Sequence, residues 1–79
     1  MNIKVLGSGC SNCIRLEKNV YEALKQIGKE ATVEKVTDYS EIASYGVLGT
    51  PALVVDGKVL FSSRVPAPFT LAEMLRKEE

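Results

Sequence analysis

Apolar and polar positions change period several times along the chain, and each change marks an element. Asn2 to Leu6 ("NIKVL") is short, carries β-branched residues and stops at Gly7, as a strand does. From Cys13 onward, Leu16, Val20, Ala23, Leu24 and Ile27 recur at three and four, the helical period, with Gly28 as the stop. Ala31 to Thr37 ("ATVEKVT") predicts a second strand whose charges suit a sheet edge. "DYSE" places Asp38 as an N-cap with Glu41 three residues on, a capping-box pattern opening a short helix that ends near Gly46. Two apolar runs, Ala52 to Val55 and Lys58 to Phe61, flank Asp56-Gly57, a pair suited to the positive φ angles of a type I′ hairpin. Both faces of that hairpin are apolar, which predicts a position inside a sheet covered on both sides. "SSRVPAP" reads as a connector. Thr70 and Glu73 form a second capping-box pattern, before a helix with Leu71, Met74 and Leu75 as its apolar stripe.

The predicted order is β-α-β-α-β-β-α, an α/β fold. The first crossover is long enough to make strands one and two parallel, whereas the hairpin is antiparallel. A four-stranded mixed sheet with helices on both faces follows. No linker or internal repeat divides the 79 residues, so 1–79 is expected to form one domain.

Composition narrows the function. Apolar residues make up 46%, which fits a folded globule, and ten basic residues balance ten acidic ones. A neutral total leaves no electrostatic footprint for nucleic acid or an acidic membrane. No apolar run approaches a membrane span, and the start "MNIKVLGSG" lacks the pattern of a secretory signal. The expectation is a cytoplasmic monomer, in a compartment where disulfides are mostly transient and catalytic. Histidine is absent, which removes Cys-His nucleophilic catalysis and any zinc set needing an imidazole.

The two cysteines, Cys10 and Cys13, stand three apart between the first strand and the first helix, in "GSGCSNC". Four readings are open. A structural brace is disfavoured, because a four-residue loop yields only about 2 kcal/mol in the chain-entropy model. Two thiolates suit copper(I), yet a closed zinc site wants four ligands. Heavy-metal-associated domains carry the same spacing, but they continue with two strands where this chain has the capped "DYSEIASYG". Cys13 alone could be a packing thiol, since its helical register points it inward with Leu16 and Val20. Redox exchange accounts for both sulfurs. Unpaired N–H groups and the helix dipole stabilise a thiolate at Cys10, and Cys13, one turn in, resolves the mixed disulfide. A fall in thiol pKa from about 8.5 to about 7 raises the thiolate fraction at neutral pH from about 3% to about 50%. Because nucleophilicity falls with pKa, the gain in attack rate is only about threefold, and the larger effect is on redox poise.

The second half of the pattern is "GTPALVVDG", with Thr50-Pro51 opening the hairpin. A Cys-x-x-Cys after strand one, a Thr-Pro before a DG hairpin and a closing helix together resemble the thioredoxin/glutaredoxin superfamily, and most of all its small microbial redox-active disulfide proteins. The resemblance implies a thioredoxin-like fold and a thiol–disulfide oxidoreductase with Cys10 and Cys13 as catalytic residues. It implies a cis Pro51 packed against the disulfide and a Thr50 backbone that pairs with an extended substrate. Ser11 and Asn12, between the cysteines, join Thr50 and Pro51 as substrate-binding residues. The implied cofactor is none beyond the reversible disulfide. The implied partners are a protein or small-molecule disulfide and a thioredoxin-reductase-like electron donor.

Departures from the family pattern are also legible. Ser11-Asn12 replaces the Gly-Pro or Pro-Tyr usual between the cysteines, no tryptophan precedes Cys10, and "SSRV" stands where glutaredoxins carry a double glycine. Glutathione binding is therefore unsupported. The family's buried acid has no legible counterpart, which leaves the proton acceptor for Cys13 unassigned. Val47 and Leu48, just before the Thr-Pro turn, are expected to form an apolar lip beside Cys10. Lys4, Arg64, Tyr39 and Tyr45 are read as edge, solvent or packing residues.

Overall fold

A computed structural model describes residues 1–78. The element order is β1 (Asn2–Leu6), α1 (Ser11–Ile27), β2 (Thr32–Val36), α2 (Tyr39–Ser44), β3 (Ala52–Val55), β4 (Lys58–Ser62) and α3 (Pro68–Lys77). The strands form one sheet in the order β2-β1-β3-β4. β1 runs parallel to β2 and antiparallel to β3, and β3 runs antiparallel to β4. This is the four-stranded mixed sheet expected from the order of the elements.

Alternation along the strands sorts the core into two layers. Ile3, Val5, Leu53 and Val55 point to one face, where they pack with Leu16, Val20, Ala23 and Leu24 of α1 and Leu71, Ala72 and Leu75 of α3. Leu6, Ala52 and Val54 point to the other, where they meet Val36 of β2 and Ile42 of α2. β3, covered on both sides, is buried at every position. Its hairpin partner departs from expectation. β4 lies at the sheet edge and only Phe61 of it is buried, so double coverage holds for β3 alone. A strand with one neighbour can expose its outer positions whatever its apolar content.

Local signals explain the boundaries. Asp56 (φ 49°) and Gly57 (φ 85°) both occupy the left-handed region, which is what a two-residue type I′ loop requires. α1 ends as a Schellman motif: Gly28 is left-handed, its N–H donates to the Lys25 carbonyl, and the Lys29 N–H reaches the Leu24 carbonyl. At the start of α2, Asp38 accepts the Glu41 N–H at 2.9 Å, so one arm of the expected capping box forms. The Glu41 carboxylate lies instead 3.9 Å from Lys4 Nζ.

The last helix begins earlier than the capping pattern predicts. It starts at Pro68, with Ala67 as N-cap and no side-chain cap, while Thr70 lies within its first turn. Proline suits that first position because its φ is already helical and its missing N–H would have no partner there. Glu73 pairs with Arg76 rather than closing a cap. The two capping patterns should therefore separate experimentally. Asp38→Ala is expected to lower stability by about 1 kcal/mol, whereas Thr70→Ala should stay within about 0.5 kcal/mol of the parent, both read from urea midpoints.

Candidate functional site

The topology places the end of β1, the start of α1 and the turn before β3 side by side. β1 leaves the sheet at Leu6, and Gly7, Ser8 and Gly9 turn the chain into α1. Gly9 adopts φ 87°, a conformation open to glycine at little strain. Cys10 follows as the N-cap of α1 with extended backbone, and its Sγ accepts the Cys13 N–H at 3.1 Å. A sulfur thus occupies the place of a capping oxygen, where the first turn has N–H groups without helical partners. No acidic residue lies in that first turn to offset the dipole.

Cys10 and Cys13 are joined as a disulfide, and the two sulfurs differ sharply in setting. Cys10 is exposed, as are Ser11 and Asn12, whereas Cys13 is only 5% exposed. The inward register of Cys13, shared with Leu16 and Val20, buries it beneath the helix start.

Gly7 connects the two motifs. A Cβ placed on it would strike Cys13 Sγ well inside van der Waals contact, meet Cys13 Cβ at 3.1 Å and reach Thr50 Cβ at 3.7 Å. The Cys-x-x-Cys turn and the Thr-Pro turn therefore converge on this buried glycine. In the sequence Gly7 shows only as a strand stop, and the glycine pair of "GSGC" is the signal that marks it. The Thr50-Pro51 peptide is cis, Pro51 is buried and Thr50 is exposed. The Pro51 carbonyl accepts the Ser63 N–H at 2.8 Å, which ties the turn to the end of β4.

Beside Thr50 runs an open apolar groove of about 280 Å³. Leu48, fully exposed, and Val47 form one wall; Tyr39, Ile42 and Ala43 of α2 form the other. Val47 and Leu48, expected as a lip beside Cys10, thus line a groove beside Thr50 together with residues of α2, and Cys10 is not part of its lining. Tyr39 is a rim residue. Tyr45 is a packing residue whose hydroxyl accepts a hydrogen bond from Lys4 Nζ at 3.2 Å. That bond, with the charges of Tyr45, Glu34 and Glu41, holds the Lys4 ammonium above the usual lysine range. Lys4 therefore braces α2 on the face away from Cys13. Arg64 stacks over the Phe61 ring at 5.8 Å.

Among the described residues, no group of three or more Cys, Asp or Glu side chains is placed to hold a metal ion. No described helix is long and apolar enough to cross a membrane.

Comparison with known proteins agrees with this geometry. The thioredoxin domain family model matches residues 1–76. The chain is similar to a protein named thioredoxin from Methanothermobacter thermautotrophicus, at 37% identity over 75 residues, covering 95% of this chain and 97% of that protein. It is similar also to a protein named thioredoxin from Methanocaldococcus jannaschii, at 34% identity over 74 residues, covering 94% of this chain and 85% of that protein. With matches that span nearly its whole length and a disulfide at the start of its first helix, the chain belongs to the thioredoxin family of thiol–disulfide oxidoreductases.

Proposed function

We propose that Cys10 is the sulfur that meets the substrate and that Cys13 completes the exchange. In the reducing direction, the Cys10 thiolate attacks one sulfur of a substrate disulfide. A mixed disulfide forms and the first substrate thiolate departs with its electron pair. Cys13 then loses its proton and attacks Cys10 Sγ, the bond from Cys10 to the substrate breaks, and the second substrate thiolate leaves. Two electrons pass to the substrate and the Cys10–Cys13 disulfide remains. A dithiol donor restores the pair by the same steps reversed. The observation that carries this division of labour is the contrast between an exposed capping sulfur and a buried neighbour one turn away.

The capping geometry favours Cys10 for a further reason. The Cys13 N–H that reaches its sulfur supports an anion better than a neutral thiol, and the helix dipole acts in the same sense. Thiolate stabilisation makes Cys10 both readily ionised and a good leaving group, which shifts redox poise more than attack rate.

Ser11, Asn12, Thr50 and Pro51 are the substrate-binding residues of this reading. Ser11 and Asn12 flank the attacking sulfur at the surface, and the exposed Thr50 offers its backbone to an extended segment. A side chain beside the substrate cysteine would rest in the groove between Leu48 and α2. The substrate is therefore a protein disulfide in preference to a small one, and the donor is a thioredoxin-reductase-like protein. Residues 1–79 act as one monomeric domain in the cytoplasm, with no cofactor beyond the disulfide. The rival reading, a two-thiolate carrier of copper, has less support, since both similar proteins bear the name thioredoxin.

Cys13→Ala is expected to halt the cycle after the first step and leave the substrate covalently bound to Cys10, seen as a reductant-sensitive adduct by intact-mass measurement. No adduct with a disulfide protein under conditions where the parent reduces it would contradict the assignment. Gly7→Ala forces a methyl group against Cys13, and overpacking of this kind destabilises by about 1–3 kcal/mol. The loss should be larger in the oxidised protein than in the reduced one, where Cys13 is free to turn away. Equilibration against glutathione buffers measures it as a shift toward the dithiol.

A further inference from the structure

A turn that offers its backbone to a substrate must itself be held, and residues 47–51 have few ways to be held. They belong to no helix or strand, and proline at position 51 has no N–H to give to a neighbouring strand. Gly7, across from it, donates its own N–H to the Val36 carbonyl of β2. Among the described residues, the segment makes one backbone hydrogen bond outside the strand ladders: the Pro51 carbonyl accepts the Ser63 N–H at 2.8 Å. Its side chains add none.

Ser63 meets the turn a second time, with its side chain. A Cβ placed on Gly49 would fall on Ser63 Oγ, far inside contact distance, and would lie 3.7 Å from Ser63 Cβ. The hydroxyl therefore rests against the Gly49 backbone. One residue thus holds the chain on both sides of Thr50, which stays exposed between them. Register explains its reach. β4 ends with Ser62 opposite Ala52, so the next residue stands opposite Pro51. Ser63 then turns out of the strand with φ 57°, a left-handed conformation that glycine enters at less cost than a residue with a Cβ. Serine at this place gives up some stability and keeps a side chain on Gly49. Its hydroxyl makes no hydrogen bond with a described residue, so contact with Gly49 is what the side chain contributes.

We infer that Ser63 is a positioning residue for substrate recognition: it fixes the Gly49-Thr50-Pro51 backbone in the form with which an extended substrate segment pairs. The inference rests on the exchange reading above, with Thr50 as the pairing residue. Its physical basis is preorganisation. A turn already ordered in the free protein has little freedom left to lose when substrate binds, whereas a loose turn loses it at that moment and binds more weakly. The benefit is confined to substrates long enough to run along Thr50. A small disulfide that reaches only Cys10 gains nothing from an ordered turn.

The test is single-turnover oxidation of the reduced protein by excess insulin and by hydroxyethyl disulfide, with urea midpoints of the same variants. Ser63→Gly frees the φ angle and empties the space over Gly49. Its half-saturating insulin concentration should rise about three- to tenfold. The limiting rate and the reaction with hydroxyethyl disulfide should match the parent, and the urea midpoint should be no lower. Ser63→Ala should also raise half-saturation. Gly49→Ala added to it should restore the parent value, because the new methyl fills the space of the hydroxyl at 3.7 Å from the Cβ of residue 63 and Gly49 lies outside the left-handed region. Parent-like half-saturation in Ser63→Gly overturns the inference. Equal slowing with both disulfides, or a double variant no better than Ser63→Ala, overturns it too. The Cys13→Ala adduct with the disulfide dimer of a single-cysteine peptide separates the two levels. If it forms and protects the Thr50 amide from hydrogen exchange while Ser63→Gly behaves as the parent, the substrate reading stands and the Ser63 assignment falls. If it forms without protecting Thr50, or does not form, both fall.

Discussion

The hydrogen bond from the Cys13 N–H to Cys10 Sγ organises the rest of the site. A helix start needs an acceptor for its free N–H groups, and in most helices an oxygen supplies it. In the proposed exchange the acceptor is the attacking atom, so the demand that holds α1 together at its first turn would also favour the anion that exchange needs. The same turn sets the spacing. Residues three apart from N-cap to N3 face one another, which brings the second sulfur within bonding reach and sends it inward with the apolar stripe of α1. One local motif thus produces two sulfurs of unlike exposure from two residues of the same type.

The sheet then brings the second motif to the first. β1 and β3 are antiparallel neighbours with Leu6 opposite Ala52, so the residue after β1 and the residue before β3 must lie close together. Gly7 and Pro51 are those residues. Cys13 leaves no space for a side chain on Gly7, and of the adjoining turn Thr50 stays at the surface while Pro51 is buried. Placement of the Thr50-Pro51 turn at the sheet end therefore depends on β3, whose positions are all buried and whose register is held by core on both faces.

Much of this is legible in the sequence. The Asp56-Gly57 turn, the Asp38 cap and the Gly28 stop are signals carried by one or two residues in their local chain, and each appears where the pattern placed it. The two cysteines are legible for the same reason, and they form a disulfide at the strand-to-helix junction. Start signals that admit two meanings were misplaced. Pro68 reads equally as a helix breaker and as a first helical residue, and only packing of Leu71 and Leu75 against α1 decides between them. The exposure of β4 was missed because apolar content does not reveal a strand's place in the sheet. The convergence of Gly7, Cys13 and Thr50, and the approach of Lys35 to Glu17, depend on strand order and parallel register, where a slip of one residue would send Lys35 to the opposite face. Neither is written in any short stretch of chain.

The central claim is that the helix start stabilises the anion of Cys10. The most direct measurement is the pH dependence of iodoacetamide alkylation of Cys10 in the reduced, folded protein, with a short peptide containing the same cysteine as reference. Reactivity that titrates clearly below the ordinary thiol value of about 8.5, while the peptide follows that value, is the predicted result. A folded-state midpoint at or above the peptide's would contradict the account.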